Sequence, residues 1–209
     1  MALKIIDHSL IRHKLNLVRK RHTPPEKLRS LLEEITLMSI PFVLEGFPLR
    51  MESVETPMGV GRSFEFVEED RIVFICILRA GLPMLNGALR ALPGAKAGFL
   101  AIKRNEDTLT PELYYRRLPP LEGRFVILLD PMLATGGTLS LALSEAKSLK
   151  PEKMVTLNLV ASPQGLERTM SAHPDVDFFL LSVDEGLSPK GYIVPGVGDI
   201  GDRLFTEGL

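Results

Sequence analysis

The sequence predicts an α/β fold: a mostly parallel sheet flanked by helices. Three observations carry this. Ile72 to Leu78 (IVFICIL) and Phe125 to Leu129 (FVILL) are unbroken apolar runs, too short for helices of their own, which suits strands buried on both faces. Each run leads directly into a tight turn of small residues and then a helical pattern. Strands and helices go on alternating from residue 72 to 183, with connections short enough for right-handed crossovers.

Composition sets the frame. The 209 residues are 45% hydrophobic and 24% charged, the balance of a globular protein, and are expected to form one domain, 1–209, with no repeat, low-complexity segment or linker. A net charge of −1 gives no general attraction to nucleic acid or membrane, and no apolar stretch reaches the length of a membrane span. The first residues, MALKIIDHSLIRHKL, lack the apolar core of a signal peptide. Cys76 is the sole cysteine, so no internal disulfide can form; a reduced, cytoplasmic protein with a buried structural thiol is expected. The histidines at 8, 13, 22 and 173 have no metal-ligand spacing, and no protein metal site is assigned.

In chain order, residues 1–22 suggest a short strand or turn and then a helix with Leu10, Ile11, Leu15 and Val18 on one face. Its basic residues, among them Arg19, Lys20 and Arg21, form a solvated face, a subunit contact or an anion site. Thr23-Pro24-Pro25-Glu26 signals a helix start with threonine as cap; Leu28, Leu31, Leu32, Ile35 and Met38 continue it to about Glu45-Gly46. Leu49 to Phe66, with Pro57, Gly59 and Gly61, reads as loop with short strands. After the strand at 72–78 come Arg79-Ala80-Gly81 and a helix from Pro83 to Leu92. A small turn with one arginine suits a diphosphate, through close backbone amides and a forked guanidinium; the competing reading is a surface salt bridge. Ala97 to Ile102 is a third strand, followed by the charged stretch Lys103-Arg104-Asn105-Glu106-Asp107 and a return strand near Tyr114-Tyr115-Arg116-Arg117.

The most informative stretch is FVILLDPMLATGGTL. Asp130 closes the apolar run, and an unpaired carboxylate is costly to bury, so it belongs at the strand's carboxyl end. Ala134, Thr135, Gly136, Gly137 and Thr138 then make a glycine turn into a helix bearing Leu139, Leu141, Ala142, Leu143, Ala146 and Leu149, with Thr138 as its expected N-cap. Strand, glycine turn and helix start together form a phosphate cradle, and Asp130 can accept hydrogen bonds from sugar hydroxyls. The pattern predicts a ribose 5-phosphate site. Strands at 154–161 and 177–183 and a helix at 163–171 led by Ser162 complete the alternation. The tail, Gly191 to Arg203, is glycine-rich yet carries Tyr192, Ile193 and Val194, which argue for packing. Its backbone could read the donor and acceptor pattern of a flat base, with Tyr192 over the ring. Asp202 and Arg203 either pair to hold the turn or contact ligand directly.

These motifs resemble the type I phosphoribosyltransferases, and within them the uracil phosphoribosyltransferases, over nearly the whole chain. The resemblance rests on LRAG, the Lys103-Arg104 loop, DPMLATGGT and the tail GYIVPGVGDIGDR. Pro131 follows Asp130 where the common pattern has a second acid, which weakens transfer of a paired-carboxylate ribose site; the Asp-Pro form is that of the uracil enzymes. The resemblance implies a type I phosphoribosyltransferase fold with a mobile hood loop and a C-terminal base-binding segment. It implies transfer of the phosphoribosyl group of phosphoribosyl pyrophosphate (PRPP) to uracil, giving UMP and pyrophosphate. PRPP would meet Arg79, Arg104, Asp130, Pro131, Met132, Leu133, the Ala134–Thr138 turn and Asp199. Uracil would meet Tyr192, Ile193, Gly198, Asp199 and Ile200. Arg79, Arg104, Asp130 and Asp199 would carry the catalysis, with Asp199 the candidate general base and Mg²⁺ held mainly by PRPP oxygens and water. The family commonly forms homo-oligomers and some members respond to GTP, which implies a homodimer or larger assembly and a GTP effector. Alternatives are a transferase for hypoxanthine, adenine or orotate, whose tail would differ, and a PRPP-binding regulator of nucleic acid, which calls for a basic face or added module. A kinase-type binder lacks its Walker A loop here.

Overall fold

The computed structural model describes residues 2–59, 61–104 and 110–206, leaving out the Arg104 side chain. Of the expected mobile hood loop, which begins at Lys103-Arg104, residues 105–109 lie outside the described residues, while the backbone of Lys103 and Arg104 belongs to the strand before it. In order the elements are β1 (Leu3–Ile5), α1 (Ser9–Arg19), α2 (Pro25–Val43), β2 (Leu49–Glu55), β3 (Gly61–Val67), β4 (Ile72–Leu78), α3 (Leu82–Ala91), β5 (Lys96–Arg104), β6 (Pro111–Arg117), β7 (Phe125–Leu129), β8 (Met132–Leu133), α4 (Gly137–Lys147), β9 (Lys153–Ala161), α5 (Pro163–Ala172), β10 (Asp177–Val183), β11 (Gly186–Leu187), β12 (Ile193–Val194) and α6 (Ile200–Phe205).

The main sheet has the order β1-β10-β9-β7-β4-β5-β6, with β8 also on β9. Its neighbours are parallel except β5 and β6, which pair antiparallel. The unbroken apolar runs are explained by two separate cores. Ile72, Phe74 and Cys76 face one core, with Ile11 and Leu15 of α1, Leu28 and Leu32 of α2, Met84 of α3 and Leu204 of α6. Val73, Ile75 and Ile77 face the other, with Leu139 and Leu143 of α4 and Leu166 of α5. Successive strand residues point to opposite faces, so a strand covered on both sides must be apolar at every position.

Several local expectations are corrected. Leu10 is exposed, and Ile11, Leu15 and Val18 form the buried stripe of α1. Thr23 does not cap α2: its hydroxyl donates to the Leu17 carbonyl at 2.7 Å, and Pro24 stands at the cap with no side-chain bond. The short strands expected within the loop at 49–66 are seven residues each and fill most of it: β2 and β3 pair antiparallel in register from Leu49↔Val67 to Glu55↔Gly61 as a sheet of their own. Leu49, Met51, Phe64 and Phe66 are exposed on this hairpin.

Candidate active site

The carboxyl ends of β4 and β7 and the tail around β12 meet at one cavity of about 290 Å³. Asp130, Met132–Gly136 and Thr138 line one side, and Gly191–Ile193 with Val197–Asp199 line the other. An adjoining cleft of about 1090 Å³ shares Tyr192 and Asp199 and adds Arg79, Lys103, Tyr114 and Asp202. Ligand sites gather where strands of an open α/β sheet end, because turns there expose free amides.

Asp130 follows β7 and is buried. Its carbonyl accepts from Asn158 Nδ2 at 2.7 Å, while among the described residues Oδ1 accepts only a long 3.5 Å contact from the Met132 amide. Burial, little offset by that contact, pushes its carboxyl up to about 7. Such a carboxylate lacks donors that sugar hydroxyls could supply.

The following turn is shaped from behind by α5. Gly136 adopts φ +80° and stands at the cap position of α4, so Thr138 is not the N-cap, and the helix has no side-chain cap. Ser162 caps α5 by accepting from the Gly165 amide at 2.9 Å, and its hydroxyl donates to the Ala134 carbonyl at 2.5 Å. A side chain at Gly165 would place Cβ 2.0 Å from that carbonyl oxygen. The first amides of α4 have no carbonyl partner within the helix, which leaves the cradle able to hold an anion. Ser162 leads α5 as the sequence predicts, but its bond to the phosphate turn and the role of Gly165 were not singled out; a glycine in the first turn of a predicted helix was the available signal.

Arg79 follows a cis Leu78–Arg79 peptide. Its Nη2 donates to Asp202 Oδ1 at 3.0 Å, with both side chains about half exposed. Such exposed pairs contribute roughly 0–1 kcal/mol, so a polyanion can compete for the guanidinium. Gly81, two residues on, is seated so closely that a Cβ would lie 2.6 Å from the Leu129 carbonyl oxygen of β7.

In the tail, Ile193 is buried and lines the cavity, while Tyr192 is half exposed at its mouth. Asp199 lines both cavities and caps α6, accepting from the Asp202 amide at 3.0 Å. Ile200 is fully buried in the core rather than on the cavity wall, and Pro131 and Gly137 also lie off it. Asp202 and Arg203 do not pair. Asp202 meets Arg79, and Arg203 donates to the carbonyls of Val18 at 2.9 Å, Lys20 at 2.7 Å and Val197. Arg203→Met is expected to lower unfolding stability by about 2 kcal/mol, the cost of leaving buried carbonyls without donors; urea denaturation measures it.

Arg79, Asp130, the turn, Tyr192, Ile193, Gly198 and Asp199 are thus brought to one place. The backbone of Arg104 ends β5 opposite Pro111, but its side chain lies outside the described residues.

Known proteins resemble this chain over nearly its full length. The family model for uracil phosphoribosyltransferase matches residues 5–206. A uracil phosphoribosyltransferase from Aquifex aeolicus (strain VF5) is 48% identical over 201 residues, covering 96% of each chain. The solved structure of the AQ2163 protein from Aquifex aeolicus superposes with a TM-score of 0.96 at 46% identity over 99% of both chains. A hypoxanthine phosphoribosyltransferase from Trypanosoma cruzi, 17% identical, gives a TM-score of 0.51 over 78% of this chain and 77% of that one, a likeness of fold alone.

Proposed function

The chain belongs to the uracil phosphoribosyltransferase family, and we infer from that membership and from its cavity that it is a pyrimidine-salvage enzyme. It transfers the phosphoribosyl group of PRPP to uracil, releasing pyrophosphate and forming UMP. The observation that carries the reading is the meeting of the Asp130–Thr138 segment with the glycine-rich tail across one cavity.

The Ala134–Thr138 turn holds the 5-phosphate through backbone amides and threonine hydroxyls, with Pro131, Met132 and Leu133 setting the approach of the chain. Asp130 accepts from the ribose hydroxyls. With one end fixed, binding energy orients the reacting carbon. Arg79 exchanges Asp202 for the pyrophosphate, and Arg104 adds a second cation as charge develops on the leaving group. The uracil slot is formed by Tyr192, Ile193 and Gly198, with Ile200 supporting it from the core. Asp199 is the candidate acceptor for the base proton.

Mg²⁺ suits this donor set. It keeps several waters and needs only one or two carboxylates beside substrate phosphates, and Asp130 and Asp199 both line the cavity. Bound with PRPP, the ion would neutralise charge on the departing pyrophosphate.

The two cores share one sheet, which supports a single domain over 1–209. The exposed apolar residues of the β2–β3 hairpin support a homodimer or larger assembly. A GTP effector is proposed on family membership alone. Among the described residues no helix is long and apolar enough to cross a membrane, and a cytoplasmic location is proposed.

Product formation from PRPP and Mg²⁺ with uracil, cytosine, hypoxanthine, adenine and orotate in parallel tests the reading. UMP from uracil alone is the expected result. Conversion of a purine or orotate would retain the phosphate cradle and reject the base assignment. PRPP binding without conversion of any base would favour a regulator.

A further inference from the structure

The segment that walls the base side of the cavity has little regular structure of its own. β11 and β12 pair over two residues each, and beyond Val194 the backbone runs irregularly to α6. Its shape is imposed from outside. The Gly196 amide donates to Asp184 Oδ2 at 2.8 Å, and the Gly196 carbonyl accepts from Arg19 Nη1 at 2.8 Å. These two side chains are themselves joined: Arg19 Nη1 and Nη2 donate to Asp184 Oδ2 and Oδ1 at 2.6 and 2.7 Å. Ser182 closes the set, donating to Asp184 Oδ1 at 2.7 Å and accepting from Arg19 Nη2 at 3.1 Å. One ion pair therefore grips both polar groups of a single residue in the tail.

Asp184 has a side chain only 2% exposed, against 21% for Arg19. Burial alone would raise the Asp184 carboxyl, but donors from Arg19, Ser182 and the Gly196 amide hold it below the ordinary range, so the pair is charged. Neither residue lines the cavity. A buried pair of this kind is a poor source of stability compared with apolar packing, and its clearest use is to fix one geometry.

We propose that Arg19 and Asp184 are positioning residues for the base. They hold residues 193–199 in the shape that receives uracil and so set base affinity without touching the ligand. The proposal rests on the uracil-transfer reading above. It separates two effects: the phosphate cradle, built on β7, α4 and α5, lies outside this network, so PRPP, which meets the tail only through Asp199, depends on it far less than uracil does.

The test compares wild type, Arg19→Gln, Arg19→Lys and Ser182→Ala. Uracil is varied at saturating PRPP and Mg²⁺, and PRPP with Mg²⁺ is titrated calorimetrically into the base-free enzyme. The uracil KM is expected to rise about ten-fold in Arg19→Gln and about three-fold in Ser182→Ala, with PRPP Kd changed by less than about two-fold. Arg19→Lys, which keeps charge but loses the fork, falls between them. If Arg19→Gln does not fold, Ser182→Ala decides alone, since it removes one hydroxyl and leaves the ion pair. Equal weakening of uracil and PRPP, or an unchanged uracil KM in folded variants, overturns the proposal. A wild type that forms no UMP overturns the uracil reading and the proposal with it, before any variant is considered.

Discussion

Asp130→Asn is expected to lower kcat/KM for PRPP by roughly 10²–10³-fold while making the ligand-free protein more stable above neutral pH. The activity loss follows from replacing a charged acceptor of two ribose hydroxyls, at roughly 1.5–3 kcal/mol per hydrogen bond to a charged group. The stability gain follows from burial. The folded carboxyl titrates at about 7 against an ordinary 3.8, so the folded chain binds this proton more tightly than the unfolded chain. That contribution is fully present below pH 3.8 and is lost as pH rises through about 7, beyond which the buried carboxylate costs as much as about 4 kcal/mol. Asparagine stays neutral throughout. The variant's advantage should therefore be near zero at pH 4 and largest at pH 8, as measured by urea unfolding, with initial rates recorded on the same samples. Full turnover in a folded variant would reject the ribose assignment.

Gly165→Ala is expected to raise the PRPP KM by roughly 10–100-fold and to cost about 2–3 kcal/mol of stability, the range for forcing atoms into a packed site. The new Cβ would lie 2.0 Å from the Ala134 carbonyl oxygen, 2.8 Å from its carbon and 3.1 Å from the Leu133 oxygen. All three are backbone atoms of the phosphate turn, so no side chain can swing away and the turn itself must move. The uracil KM measured at saturating PRPP should change far less. A variant with unaltered PRPP kinetics would show that the turn tolerates displacement.

These cases show where the chain is readable. β4, β7, β9 and β10 were legible because burial on both faces leaves an apolar run in the sequence itself. Asp130 and the glycine turn were legible because strand, acid, turn and helix are contiguous. The β2–β3 hairpin was only partly so: Leu49-Arg50-Met51-Glu52 and Phe64-Glu65-Phe66 alternate, but its strands have little buried face, and Pro57, Gly59 and Gly61 read as loop. Thr138 looked like a cap because threonine favours that place, yet the left-handed Gly136 takes the cap position two residues earlier. The partners of Arg79 and Arg203 were hidden for another reason. Arg79 meets a residue 123 positions away, and Arg203 meets carbonyls on α1 and in the turn after it, 185 and 183 positions away. No local period encodes such contacts. Gly165 belongs to the same class, since its absent side chain answers to a loop some thirty residues earlier.

The seating of Gly81 against the Leu129 carbonyl joins the turn after β4 to the end of β7. On the proposed reading the first carries Arg79, the grip for the pyrophosphate, and the second leads through Asp130 into the cradle for the 5-phosphate. With no slack between them, the gap is a fixed gauge, and a donor is measured by its span before its base is ever read. A sugar diphosphate longer or shorter by one carbon can satisfy either grip but not both, so the enzyme can refuse it without a single side chain devoted to refusal.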